Sequence, residues 1–332
     1  RWRAARYVPN TPTRQHSIGP RALLMIVVLS GGTGGAKLIA GLAAEIAPAE
    51  LTIICNTGDD CVFHGLHISP DIDTITYTLA GLNDSEKGWG IKDDTFVALE
   101  QLRRLGNDAW FHLGDKDLAT HITRTRLLRE GRSLSEITDH LRRRLGVHST
   151  ILPMSDQRIE TRVLTPQGEI SFQEFFVKER WARDVSAVRF SGAENSQPAP
   201  GVIAAISRAE AIIVCPSNPI TSIGPILSVP GVRAALAESS ATVIGVSPMI
   251  GATAISGPAH KLMAASGLES SVLGVACCYA DFLDALMIAD EDRSFMPAIE
   301  QLQVRVVASD IRMPDLTAKR RVARELLALA RK

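Results

Sequence analysis

Residues 25–38, Met25-Ile26-Val27-Val28-Leu29-Ser30-Gly31-Gly32-Thr33-Gly34-Gly35-Ala36-Lys37-Leu38, decide the fold. The short apolar run rich in β-branched residues reads as a buried strand, the glycines as a tight loop, and Leu38 to Ile46 as a helix. Backbone N–H groups at such a helix start bind phosphate oxygens, and glycine lets a ligand approach with no Cβ in the way. The loop departs from both common nucleotide fingerprints. A P-loop needs Gly-Lys-Ser/Thr where Ala36-Lys37-Leu38 stands, and a GxGxxG site needs glycine where Lys37 is. Phosphate or nucleotide binding by Gly31, Gly32, Thr33, Gly34, Gly35 and Lys37 is therefore expected, without ATP hydrolysis or NAD; a merely tight strand-to-helix turn is the plain alternative.

Working outward, Leu51 to Cys55 reads as a second buried strand, and Ala211 to Cys215, Thr242 to Val246 and Val304 to Ala308 as further ones, each with helix-compatible sequence nearby. Such alternation predicts an α/β fold, a Rossmann-like parallel sheet with helices on both faces. Between residues 85 and 148 the texture changes to charged amphipathic helices (96–105, 118–130 and 134–145), which reads as a smaller helical insert. Residues 159–177 alternate about Pro166-Gln167-Gly168 as a β-hairpin. The expected organisation is a disordered extension (1–24), a nucleotide-binding α/β domain (25–84 and 149–332) and the insert (85–148). The basic start and the apolar run after it imitate a signal peptide, but cleavage near Gly34 would remove the first strand and its loop, so the fold is taken to begin at Met25.

The 332 residues are 45% hydrophobic and 22% charged, enough to pack a sizeable core. Lys plus Arg equals Asp plus Glu at 36 each, so no net field gathers polyanions and a nucleic-acid partner is not expected. The longest apolar run, Ala22 to Leu29, is far short of the roughly 20 residues of a membrane span. Five cysteines without a CxxC spacing argue against disulfides and structural zinc, and for reduced thiols in the cytoplasm.

The second chemical signal is acidic. Asp59-Asp60 and Asp71-Ile72-Asp73 place four carboxylates near the ends of the first two strands, and carboxylates are the hard ligands Mg²⁺ favours beside phosphates. Any one of them can instead cap a helix. His64 and His67 read as polar loop residues rather than zinc ligands. Trp89-Gly90-Ile91-Lys92-Asp93-Asp94 and Leu113-Gly114-Asp115-Lys116-Asp117 suit a planar, polyhydroxylated ligand between the helices and the sheet, with ordinary packing as the other reading of Trp89. Pro216-Ser217-Asn218-Pro219 supplies a second rigid loop on the same sheet edge.

At these residues the chain resembles the 2-phospho-L-lactate transferase family of coenzyme F420 biosynthesis. The match runs in order through residues 30–38, Asn56-Thr57-Gly58-Asp59-Asp60, residues 68–74, Trp89 to Phe96, residues 113–117, Phe172-Gln173-Glu174, residues 216–219 and Ser256-Gly257-Pro258-Ala259. The resemblance implies transfer of a phospholactyl or phosphoenolpyruvyl group from a GDP-activated donor to the ribityl hydroxyl of the deazaflavin Fo, releasing GMP with Mg²⁺, in a cytoplasmic homodimer. It implies Asp71, Asp73 and Lys116 as catalytic. Asp59, Asp60, Asp71 and Asp73 would be the metal set, and the glycine loop, Lys37, Asn56, Trp89, Ser217 and Asn218 would hold the ligands. Ser256 stands where the family has a basic residue. The other reading is a non-catalytic regulator binding a nucleotide or nucleotide sugar, related to gluconeogenesis factors.

Overall fold

A computed structural model of the chain describes residues 25–251, 253–254 and 257–331; the extension 1–24 and Ser256 lie outside them. Seven parallel strands form the main sheet: β1 Ile26–Ser30, β2 Leu51–Cys55, β3 Thr150–Pro153, β4 Ala211–Val214, β5 Thr242–Val246, β6 Ala285–Ala289 and β7 Arg305–Ser309. Their spatial order is β7-β6-β5-β4-β1-β2-β3, so the order reverses between β1 and β4.

Each strand is buried on both faces because its alternate residues feed two cores. Val27, Leu29, Ile212 and Val214 pack with Val202, Ile206, Val232 and Val275 on one side. Ile26, Val28, Ile53 and Ile213 pack with Leu38, Ile39 and Leu42 of helix α1 (Thr33–Ala43) and with Val322 and Leu326 of the C-terminal helix Leu316–Leu329 on the other. This is why the strands read as continuous apolar runs rather than alternating ones. The expected Rossmann-like sheet is thus present.

Four further helices follow β2: α2 (Pro70–Leu79), α3 (Val97–Arg104), α4 (Asp115–Arg129) and α5 (Leu134–Arg144). A reciprocal cap joins α3 and α4. Asp115 accepts from the Val97 and Ala98 amides at 3.0 Å each, and Asp94 accepts from the amides of Lys116 at 2.8 Å and Asp117 at 3.1 Å. Leu134 and Val147, at the two ends of α5, pack in the sheet core beside β3. The hairpin expected at 159–177 is Glu160–Thr165 paired with Gly168–Ser171, and Ala187–Ser191 adds a third antiparallel strand. Among the described residues no helix is long and apolar enough to cross a membrane.

Candidate active site

In an open parallel sheet the loops leaving the two strands at the reversal point diverge and leave a crevice. Here those loops are 31–35 after β1 and 215–223 after β4. They touch: the Gly31 amide donates to Ser217 Oγ at 3.3 Å. The glycines serve this close approach as well as any ligand. A methyl group at Gly34 would fall 2.5 Å from the Pro216 carbonyl oxygen, and one at Gly31 equally close to Ser222. Gly34→Ala is therefore expected to pry the loops apart, lowering stability by about 1–3 kcal/mol, which urea unfolding checks.

Asn218 is an internal brace, its Oδ1 accepting from the amides of Ile220 at 2.9 Å and Thr221 at 3.2 Å. Asn56 is fully buried and links the loops, donating from Nδ2 to Asp71 Oδ2 at 2.9 Å and to the Thr221 carbonyl at 3.3 Å. Lys37 stands apart, exposed on α1 beside Lys319, whose ammonium pKa is held down by burial and then by the Lys37 charge.

Beside the glycine loop opens a cleft of about 330 Å³. Its walls are aromatic (Tyr77, Trp89, Phe111, Phe172 and Phe176) and its polar lining includes Thr33, Asp59, Asp71, Asp73, His112, Asp117, His121 and Gln173. Phe172 and Phe176 stack at 5.3 Å between ring centroids. Gln173 reaches across from the hairpin to donate to the Asp59 carbonyl at 3.0 Å, fixing the acidic loop against this wall.

The four predicted carboxylates separate. Asp59 and Asp71 face the cleft at the glycine loop. Burial and then the neighbouring Asp71 charge push the Asp59 carboxyl well above its usual range, and its buried Oδ1 has no hydrogen-bond partner. Burial likewise pushes Asp71 up to about 7 against the pull of the Asn56 hydrogen bond, and the carboxylate lies directly against Gly32. Asp60 turns the other way, accepting from Ser69 Oγ at 2.6 Å with His67 Nε2 at 3.0 Å, and is absent from the cleft lining. Asp73 is buried, and both its oxygens are held by the Arg124 guanidinium.

Asp73 belongs to a network that the sequence reasoning missed. His121 of α4 sits with Nδ1 3.7 Å from Asp73 and Nε2 3.2 Å from Asp117, which accepts a 2.6 Å hydrogen bond from the Tyr77 hydroxyl. Asp73, Asp117 and His121 are buried or nearly so, with ligand atoms within 4.8 Å of one another, so this cluster can coordinate a divalent metal. The spacing was there to be seen: Asp117, His121 and Arg124 recur at i, i+4 and i+7, and Asp73 and Tyr77 at i, i+4, each set on one helix face.

Lys116 is placed outside the cleft lining. It is exposed, and its ammonium donates to the carbonyls of Lys92 at 3.1 Å and Asp93 at 2.7 Å, clasping a turn in which Asp93 has φ 53°. Trp89 does reach the cleft, 41% exposed at its rim.

A family model described as "2-phospho-L-lactate transferase CofD" matches residues 26–325. A phosphoenolpyruvate transferase of Streptomyces griseus is 43% identical over 313 residues, 92% of this chain and 98% of that protein. A 2-phospho-L-lactate transferase of Methanothermobacter thermautotrophicus is 43% identical over 303 residues, 91% of this chain and 97% of that one. Among solved structures, a upf0052-family protein of Bacillus halodurans superposes with a TM-score of 0.63 at 15% identity, over 92% of this chain and 99% of that one, a likeness of fold alone.

Proposed function

The chain belongs to the 2-phospho-L-lactate transferase CofD family, and on that premise we propose that it moves a phospholactyl or phosphoenolpyruvyl group from a GDP-activated donor to the ribityl hydroxyl of Fo, releasing GMP. It is a phosphotransferase of that type and acts in coenzyme F420 biosynthesis. The observation that carries the finer reading is one cleft whose aromatic walls suit a planar ring and whose floor ends at two raised carboxylates beside a glycine loop.

Oxygen donors, a buried Asp59 oxygen without a partner and two acids kept from ionising by burial together fit a hard divalent cation, which we assign as Mg²⁺ held by Asp59 and Asp71. When bound it neutralises charge on the donor diphosphate. The chain's own residues do the rest. The amides of the α1 N-terminus and the braced 215–223 loop hold the diphosphate, and Phe172, Phe176 and Trp89 fix the ring and exclude water. Asp73, clamped by Arg124, is a fixed acceptor, so its part is to orient the attacking hydroxyl. Phosphoryl transfer through a loose transition state needs positioning more than a strong base.

Incubation with Fo, Mg²⁺ and a mixture of GDP-activated phospholactate and phosphoenolpyruvate tests the reading. A charged deazaflavin together with GMP is expected, and mass spectrometry of the product names the donor; nucleotide binding without product would support the regulator instead. A homodimer in the cytoplasm accompanies this reading, and light scattering checks the mass. Because Asp71 retains a proton up to about pH 7, Mg²⁺ must displace it. Its affinity is expected to rise about tenfold from pH 6 to pH 8, with proton release near neutrality, read by calorimetry in buffers of different ionisation enthalpy.

A further inference from the structure

We infer that a groove beside the 215–223 loop is a second ligand site, taking a small, uncharged, largely apolar molecule that carries one hydrogen-bond acceptor. The groove measures about 360 Å³ and shares no lining residue with the active-site cleft. Its apolar walls are Phe190 of the antiparallel sheet, Pro219 and Ile220 of the loop, Leu227 and Leu268. Small-molecule sites have this size and this mostly apolar lining, with a few polar groups that set the ligand's orientation.

Tyr279 supplies the polar group. Its side chain is 2% exposed, and its hydroxyl is buried with no hydrogen-bond partner among the described residues. A buried phenol is ordinarily paired, because an unpaired one forfeits the bonds it made to water. Burial pushes its pKa up, and the Cys278 thiol and the Arg233 charge, both in the lining, act on it as well, so the hydroxyl stands on the groove's side of the ring. The other polar groups are already committed. Ser228 donates to the Pro225 carbonyl at 2.7 Å and Ser266 to the Leu262 carbonyl at 2.9 Å, so both hydroxyl oxygens can only accept. Arg233 is answered by Asp281 at 2.7 and 2.6 Å, and no carboxylate stands in the lining. A charged ligand would be desolvated without a matched partner, whereas a carbonyl oxygen meets the unpaired phenol. The inference does not rest on the transferase reading.

The test is fluorine NMR titration of the full chain with two probes of one shape, para-fluoroacetophenone and para-fluoro-α-methylstyrene, in which a methylene replaces the carbonyl oxygen. Both are expected to bind, the ketone about tenfold more tightly, the worth of one neutral hydrogen bond. Tyr279→Phe should erase that preference and leave the styrene's affinity unchanged. Ser266→Trp, in the lining, should expel both probes. Absence of saturable binding would overturn the inference. Equal affinities in the unaltered chain would mean that water serves the hydroxyl, and would overturn it too. So would a preference that persists in Tyr279→Phe, or binding that survives Ser266→Trp and so belongs to another surface. If Tyr279→Phe fails to fold, tyrosine ring-carbon spectra decide. Of the three tyrosines, one must shift with the ketone alone and cease to do so in Ser266→Trp.

Discussion

Asp71→Asn is expected to abolish transfer while making the metal-free protein more stable at neutral pH. The two effects share one cause. Asp71 sits at about 7 in the fold because burial disfavours its charge, against about 3.8 in the unfolded chain. Below about pH 4 it is protonated in both states and contributes no difference. Between about pH 4 and pH 7 the unfolded chain ionises while the folded site resists, so the metal-free native state loses stability as pH rises; above about 7 the penalty is constant. The asparagine variant escapes that loss. Asp71 borders an open cleft, where water screens part of the penalty, so about 1–2 kcal/mol of extra stability at pH 7.5 is the expected figure, vanishing at pH 4. Turnover should fall about 10³-fold, equivalent to roughly 4 kcal/mol of lost charge stabilisation. Urea unfolding at the two pH values, beside GMP release at saturating donor, checks both halves. Lost activity with a parallel loss of stability would mean that Asp71 only holds the loops together.

The strands that flank the crevice pair were legible because their residues obey a local rule. Leu51–Cys55 and Thr242–Val246 are short, β-branched and apolar, and the structure has them at the boundaries read from sequence. Ala285–Ala289 escaped because Ala, Leu and Met carry no β-branching to separate a central strand from a buried helix, and Thr150–Pro153 because a four-residue strand ending in proline looks like a loop. Within the site, what was legible was composition and what was not was direction. Asp59 and Asp60 are neighbours, yet one faces the cleft and the other is tied to Ser69 and His67 behind it. Asp94 and Asp115 look like ligand-facing acids until each is seen capping the other's helix, a pairing across some twenty residues that no spacing rule encodes. The His121 network needs α2 and α4 to be adjacent, and only the folded chain makes them so.

Arg124→Met should cost about 3–5 kcal/mol of stability, because it leaves Asp73 ionised and buried beside Asp117 with no cation to answer it. Asp73→Asn strands the guanidinium in the same place and should cost a similar amount. The double variant Asp73→Asn/Arg124→Met removes both charges and puts a neutral amide and a thioether in their volume. Its loss should be well below the sum of the two, a coupling of 2 kcal/mol or more by roughly additive bookkeeping for a contacting buried pair. Chemical denaturation of the four proteins measures it. Kinetics then separates the two parts Asp73 plays. If the carboxylate only secures Arg124, the double variant recovers turnover along with its stability. If it also orients the acceptor hydroxyl, stability returns while kcat stays low and donor affinity is unchanged, and this second outcome is the one expected from a carboxylate that lines the cleft with both oxygens fixed in place.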